Sequence, residues 1–158
     1  MENKTQISPI INNQINKLLN SSQDKTKILK SICTILKNNI NYYNWVGFYL
    51  ADNKNKQLNL TVFDGELTEH ACIEFGRGIC GQVAETKKIF LVQDVSEETN
   101  YLSCSSKVKS EIVIPIIHEG VFLGELDIDS HFLNPFTQED EIFLSGLCEK
   151  LANFLIED

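Results

Sequence analysis

The sequence has 158 residues, the size of one ordinary domain. Apolar residues make up 42% of it and charged residues 23%, a balance that favours a buried core and argues against wholesale disorder. Its net charge of −8 argues against nucleic acid or an anionic membrane as the main partner. No apolar run approaches the roughly 20 residues of a membrane span, and the N-terminus has no signal-peptide pattern. The five cysteines are therefore predicted to be reduced thiols and the protein to be cytoplasmic.

The predicted elements run from helices through two strand hairpins to a last helix. Apolar residues recur at helical spacing up to about residue 40, with a break at residues 21–24. From Asn44 the period becomes two, which is typical of strands, and a short helix is expected near Cys80. A capping pattern at residues 137–140 begins the C-terminal helix. Strands are predicted at residues 44–50, 57–63, 90–92, 110–118 and 121–130.

These elements predict a single α+β domain over residues 1–158. The N-terminal helices take about residues 5–40, the sheet and active-site loops about 44–130, and the C-terminal helix about 137–156. Consecutive hairpins predict a mainly antiparallel sheet that the terminal helices cover on one face. The other face is then left for loops and a ligand.

Acidic residues alternate along the second strand of the last hairpin. Period two places Glu125, Asp127 and Asp129 on one face of that strand and Phe122 on the other. One interpretation is a solvated outer face, as is usual for charges. The other is a pocket that binds an ammonium group or donates a proton, in which burial and repulsion raise a carboxyl pKa. Glu111 opens the neighbouring strand and is expected to join the group across the hairpin.

Two aromatic residues share one face of the first strand. The same alternation places Trp45, Gly47 and Tyr49 together. Aromatic walls with a gap between them suit a small apolar group, although core packing is the more common use.

The cysteines fall into two groups. Cys33 and Cys148 lie on apolar helix faces and are predicted to be structural. Cys104 lies in a polar loop, where its thiol is expected to be accessible, with Lys107 or Lys109 favouring the thiolate. Cys80 is predicted to begin a helix whose dipole lowers the thiol pKa.

Two other site types are considered and set aside. A zinc site would need paired ligands, but the chain has no C-x2-C pair and its three histidines are scattered, so no metal is predicted. Residues 76–81, GRGICG, match the G-x-G-x-x-G pattern of dinucleotide-binding folds. The preceding strand, residues 72–75, is too short and polar for such a fold. The glycines are better explained as tight turns that lead into a helix.

With these residues in view, the sequence resembles the free methionine-(R)-sulfoxide reductases, enzymes built on a GAF domain. The similarity runs from about Asn44 to Leu155 as five blocks in order with near-family spacing. The blocks are NWVGFY at residues 44–49, GRGICG at 76–81, QDV at 93–95, SEIVIP at 110–115 and GELDIDS at 124–130.

The resemblance implies a six-stranded GAF sheet of a kind that is often dimeric, and reduction of free methionine-(R)-sulfoxide with thioredoxin as reductant and no cofactor. It implies a cycle in which a thiolate attacks the sulfoxide, leaving a sulfenic acid that a second thiol converts to a disulfide. Carried over residue by residue, the implied roles are the nucleophile at Cys104, carboxylates for the amino group and sulfoxide oxygen at Glu111, Asp127 and Asp129, and aromatics for the methyl group at Trp45 and Tyr49.

The sequence departs from the family pattern in two places. Family members with three cysteines carry the first one ten residues before the position of Cys80, where this chain has His70. Cys72 lies two residues closer, so Cys72 and Cys80 are alternative resolving thiols. The loop at residues 100–105 also differs from the family's usual Gly-His-Ile-Ala-Cys-Asp. The competing hypotheses are a GAF domain that binds a small ligand without turnover and a redox switch that uses Cys72, Cys80 and Cys104.

Overall fold

The fold is taken from a computed structural model that describes residues 4–103 and 105–157, with side chains from Ser8 onward. The described residues form four α-helices, six strands and one short 3-10 helix. Their bounds are α1 Lys4–Leu19, α2 Lys25–Asn39, β1 Trp45–Asp52, β2 Gln57–Asp64, β3 Cys72–Glu74, α3 Gly78–Thr86, β4 Phe90–Val92, the 3-10 helix Val95–Glu97, β5 Ser110–His118, β6 Val121–Ser130 and α4 Gln138–Ile156. The predicted helices and strands are confirmed, and the short strand expected at residues 72–75 is β3. None of the helices in the described ranges is long and apolar enough to cross a bilayer.

The strands form one six-stranded sheet in the order β3-β2-β1-β6-β5-β4, and every neighbouring pair is antiparallel. The β5–β6 hairpin closes through Glu119 and Gly120, which have φ angles of 48° and 80°. Positive φ at both positions is the two-residue turn whose twist matches that of the strands. The α+β class and the antiparallel sheet of the sequence prediction are confirmed.

The sheet separates two hydrophobic clusters, one on each of its faces. One face of the sheet packs against α2 and α4, and α1 lies against these two helices. The hydrophobic core between this face and the helices includes Phe48 of β1, Ile114 of β5 and Leu126 of β6, all buried. The opposite face carries α3 and the long loops over a second cluster that includes Trp45 and Tyr49. The terminal helices thus cover one face, as predicted, and the other face holds the candidate site.

A bulge in the last hairpin corrects one prediction. The register between β5 and β6 shifts between Ile116 and Ile117, so that Leu123 has no partner opposite it. An extra residue reverses the alternation beyond it. Phe122 therefore lies on the same face as the carboxylates, where its ring meets that of Phe75 edge-on at 5.8 Å, and not on the opposite face. Strict alternation of side chains fails at a bulge because two residues of the bulged strand lie opposite one residue of its partner.

Candidate active site

Four carboxyl groups gather on the loop-covered face of the sheet. Register places Glu111 opposite Asp129 across the β5–β6 pair, as expected, with Asp127 and Glu125 following along β6. All four are buried, and none is more than 6% exposed. A solvated outer face is therefore excluded for these residues. From the sequence, Glu125 is predicted to belong to the acidic row but not to the candidate site. In the structure it is the most deeply buried of the four carboxyls.

The environment of these carboxyls favours their neutral forms. Burial raises the pKa of Glu125 and of Asp129 well above the usual range, and the charge of Asp127 adds to both shifts. Burial also raises the pKa of Asp127. In the described part of the chain, no basic side chain forms an ion pair with Glu125, Asp127 or Asp129. The predicted raised carboxyl pKa is confirmed, and the site can hold a protonated acid near neutral pH.

Cys80 of α3 contacts this group of carboxyls. It is the third residue of α3, and its Sγ donates to Oε1 of Glu111 at 3.8 Å. Burial raises the pKa of the Cys80 thiol well above its usual value, and the charges of Asp127, Glu125 and Glu111 raise it further. The expectation that the helix dipole would lower this pKa is wrong. Desolvation of a thiolate among carboxylates outweighs the partial charge of a helix end.

The two aromatics lie beside the carboxyl row because of the same pairing. Trp45 faces Asp129, and Tyr49 faces Glu125, across the β1–β6 pair. Their ring centroids are 6.5 Å apart with planes at 35°. The predicted gap at Gly47 is filled by the indole itself, since a Cβ atom there would lie 2.3 Å from Cη2 of Trp45. Gly47 therefore lets the indole lie flat on the sheet.

Hydrogen bonds hold both aromatic side chains. The indole Nε1 of Trp45 donates to the Glu66 carbonyl at 3.0 Å. The hydroxyl of Tyr49 donates to the His70 carbonyl at 2.9 Å. Each aromatic thus positions one end of the segment between β2 and β3. That segment is one wall of the site.

The loop that carries Cys104 is anchored to α3 and to the β2–β3 segment. Asn100 donates to the Gly76 carbonyl and accepts from the Gly78 amide, both at 2.8 Å. Nε2 of His70 donates to the Ser103 carbonyl at 3.1 Å. Sequence reasoning missed both contacts. The only signal available was that Asn100 and His70 stand at the two places where this chain departs from the family pattern.

A narrow cleft opens beside the carboxyl row. Trp45, Asp129 and Val108 line it, together with Glu66 and Ser105. Its volume of about 20 Å³ suffices for one water molecule. The ammonium of Lys107 meets Oε1 of Glu66 at 2.6 Å and keeps the pKa of Glu66 below its usual value. Lys107, predicted to favour a Cys104 thiolate, is thus paired with Glu66.

The remaining thiols are distributed as follows. Cys104 lies outside the described residues. Cys72 is exposed on the edge strand β3, opposite Asn59 of β2. Cys33 and Cys148 are buried in the helix-covered core, which confirms the prediction that they are structural. Burial raises the pKa of Cys33 to about 12, so it is inert as a thiolate.

The comparisons with known proteins agree with this architecture. The sequence model of the GAF domain matches residues 22–155. The chain is 31% identical to the free methionine-R-sulfoxide reductase of Escherichia coli over 97% of this chain and 91% of the relative. It is 39% identical to GAF domain-containing protein A of Dictyostelium discoideum over 89% of this chain and 87% of the relative.

A solved structure gives the same result. The free methionine-R-sulfoxide reductase from Neisseria meningitidis, solved in complex with its substrate, superposes with a TM-score of 0.90 at 32% identity. The superposition covers 98% of this chain and 91% of that one. The chain therefore belongs to the GAF domain family and, within it, to the free methionine-R-sulfoxide reductases.

Proposed function

We propose that this chain reduces free L-methionine-(R)-sulfoxide to L-methionine with its own thiols, which thioredoxin then restores. The observation that carries the proposal is the row of buried carboxyls beside Trp45 and Tyr49, next to a cleft that Asp129 and Ser105 both line. Named reductases among the relatives, and the Neisseria meningitidis structure with its substrate, support the same substrate class.

Binding follows from charge and shape. The amino group of the substrate is a cation, and beside Glu111, Asp127 and Asp129 it favours the ionised form of a neighbouring carboxyl and attracts that carboxylate strongly at the low local dielectric of the buried site. Trp45 and Tyr49 offer apolar surface to the methyl group. The cleft of about 20 Å³ is too small for an amino acid. We therefore expect the segments around this cleft to move apart when the substrate binds.

The reaction combines a thiolate with a protonated acid. The Cys104 thiolate attacks the sulfoxide sulfur, and a neutral carboxyl of the row protonates the departing oxygen. Methionine leaves, and Cys104 becomes a sulfenic acid. A second thiol of the chain condenses with it, forming a disulfide and releasing water. The dithiol of thioredoxin reduces that disulfide and is itself oxidised, which closes the cycle.

Cys72 is the better candidate for the second thiol. Cys80 is buried among acids that disfavour its thiolate, whereas Cys72 is exposed. His70, two residues before Cys72, contacts the Ser103 carbonyl, directly before Cys104 in sequence. This hydrogen bond between His70 and Ser103, which are close in sequence to Cys72 and Cys104, supports a disulfide between the two thiols. Cys80 is then expected to be dispensable for recycling.

Three accompanying predictions belong to this proposal. A thioredoxin-dependent cycle needs a reducing compartment, and we place the protein in the cytoplasm. The chain supplies all reacting groups itself, so no cofactor is expected. The homodimer implied by the family resemblance is a prediction for sedimentation equilibrium.

The test is NADPH consumption in a thioredoxin and thioredoxin-reductase assay. The substrates are free L-methionine-(R)-sulfoxide, its S epimer and a peptide-bound sulfoxide. We expect turnover of the free R epimer alone, abolished by Cys104→Ser. Cys72→Ser should stop thioredoxin-dependent turnover but still release about one methionine per chain, because its sulfenic acid forms and is not resolved. Cys80→Ser is the matched control and should keep turnover.

Two results would contradict the proposal. Turnover that survives in Cys104→Ser would exclude the assigned nucleophile. Saturable binding of the R epimer by calorimetry, with no methionine released even in dithiothreitol, would favour a GAF domain that binds a small ligand without turning it over.

A further inference from the structure

A thiol and two carboxylates meet in the buried part of the site. The Sγ atom of Cys80 and one oxygen each of Glu111 and Asp127 all lie within 4.8 Å of one another, and all three residues are buried. They come from α3, β5 and β6, which are separated in sequence. The prediction of no metal site is based on the spacing of cysteines and histidines along the sequence. That spacing does not reveal Cys80, Glu111 and Asp127, which come together only in the folded chain.

A second observation points to a missing partner. Both carboxyl oxygens of Glu125 and Oδ1 of Asp127 are fully buried, and in the described residues none of them has a hydrogen-bond partner in good geometry; the Cys80 thiol and the Glu111 carboxyl make only weak contacts with these two side chains. Buried polar atoms in native proteins are normally paired. Here they belong to the same acidic group as Cys80, whose thiol is affected by their charges. The arrangement needs a proton or a cation to balance it.

We propose that Cys80, Glu111 and Asp127 bind a thiophilic divalent cation of the zinc type. Zinc is bound by cysteine sulfur and carboxylate oxygen, whereas magnesium and calcium prefer oxygen alone. Glu125 or a water molecule completes a tetrahedral set. On binding, the Cys80 thiol and any protonated carboxyl among the ligands release their protons to solvent, and a sulfur–metal bond forms with no change of oxidation state.

The distances suit this ion after small side-chain movements. Two ligand atoms on one tetrahedral zinc lie about 3.3–3.7 Å apart, from metal–sulfur and metal–oxygen bonds of about 2.3 and 2.0–2.2 Å. The Cys80–Glu111 pair is already at 3.8 Å. The other separations are at most 4.8 Å, so each needs at most about 1.5 Å of contraction.

This inference goes beyond the proposed function, because cation binding needs no sulfoxide. It has a consequence for that function, since Glu111 and Asp127 cannot hold a metal and an ammonium group together. Zinc should therefore inhibit the reductase in competition with methionine sulfoxide. Chelators should relieve the inhibition.

Cobalt(II) is a suitable probe because tetrahedral cobalt–thiolate sites absorb through sulfur-to-metal charge transfer. We would titrate CoCl₂ into the full chain, kept reduced by a phosphine in place of a thiol, without any sulfoxide. The expected result is a charge-transfer band that saturates at about one cobalt per chain and is removed by ZnCl₂. Cys80→Ser should abolish the band. Asp127→Asn should weaken cobalt binding by at least about tenfold, as the loss of even an outer-shell partner does.

Two matched controls locate the ligand. Cys72→Ser and Cys104→Ser each remove one thiol outside the proposed set and should keep the band. Circular dichroism checks that Cys80→Ser is folded, and Asp127→Asn tests the site independently of the thiol. A band that persists in Cys80→Ser or depends on Cys104, or no band in the parent chain, would overturn the proposal. Turnover measured separately in EDTA keeps this outcome distinct from failure of the reductase assignment.

Discussion

Replacing Glu125 by glutamine tests whether burial raises the pKa of this carboxyl, because a raised pKa makes the stability of the fold depend on pH. Glu125 is fully buried in β6, with Asp127 on the same face of the strand and Cys80 above it, and burial raises its pKa well above the usual range. In the unfolded chain a glutamate has a pKa of about 4.3. The folded protein therefore holds a proton that the unfolded chain releases above that pH.

The sign of the effect follows from this linkage. A raised pKa in the folded state contributes stability that is fully present below the unfolded value and is lost as pH rises through the folded value. Each pH unit in this window lowers the free energy of unfolding by about 1.4 kcal/mol for one carboxyl. For a domain of this size the corresponding loss in Tm is about 3–6 °C per unit. Glu125→Gln has no proton to lose at this position.

The assay is urea unfolding at pH 5, 6 and 7, in EDTA and a phosphine reductant. Trp45, the single tryptophan, is buried beside the site and reports unfolding by its fluorescence. The stability of Glu125→Gln relative to the parent should rise with pH, by at most about 1.4 kcal/mol per unit, until the pH reaches the raised pKa of Glu125 in the folded protein. Glu97→Gln, a change at an exposed carboxyl in the 3-10 helix, is the control and should track the parent. Parallel pH curves for the parent and Glu125→Gln would refute the reasoning.

Three further predictions concern positioning and packing. Gly47→Ala should destabilise the fold by about 1–3 kcal/mol and shift Trp45 emission, because the added Cβ meets the indole; thermal unfolding and fluorescence measure both. His70→Ala should lower kcat for sulfoxide reduction with Tm nearly unchanged, because it releases the Ser103 carbonyl; an equal loss in His70→Gln would contradict hydrogen bonding as the cause. Asp140→Ala should lower the urea-unfolding free energy by about 3 kcal/mol, since its carboxylate accepts two tyrosine hydroxyls and caps α4.

Local signals in the sequence were sufficient for the elements. Periodicity and capping residues report conformation within a few positions of themselves, and so they predicted α2, α4 and both hairpins. The alternation of Glu125, Asp127 and Asp129 along β6 holds because those residues lie beyond the bulge. Phe122 lies on the other side of it, and its orientation depends on how β5 pairs with β6. Pairing is a property of two strands, which one strand's pattern does not contain.

The sequence by itself determined the residue types of the site and, through family resemblance, the substrate class. Only the tertiary structure decided their protonation and access, because desolvation depends on everything packed around a group. Cys80 shows the difference most clearly. Its place at the start of a helix predicted an acidic thiol, and its burial among Asp127, Glu125 and Glu111 makes it the reverse. The hydrogen bond from His70 to Ser103 likewise joins segments 33 residues apart, a contact that only folding creates.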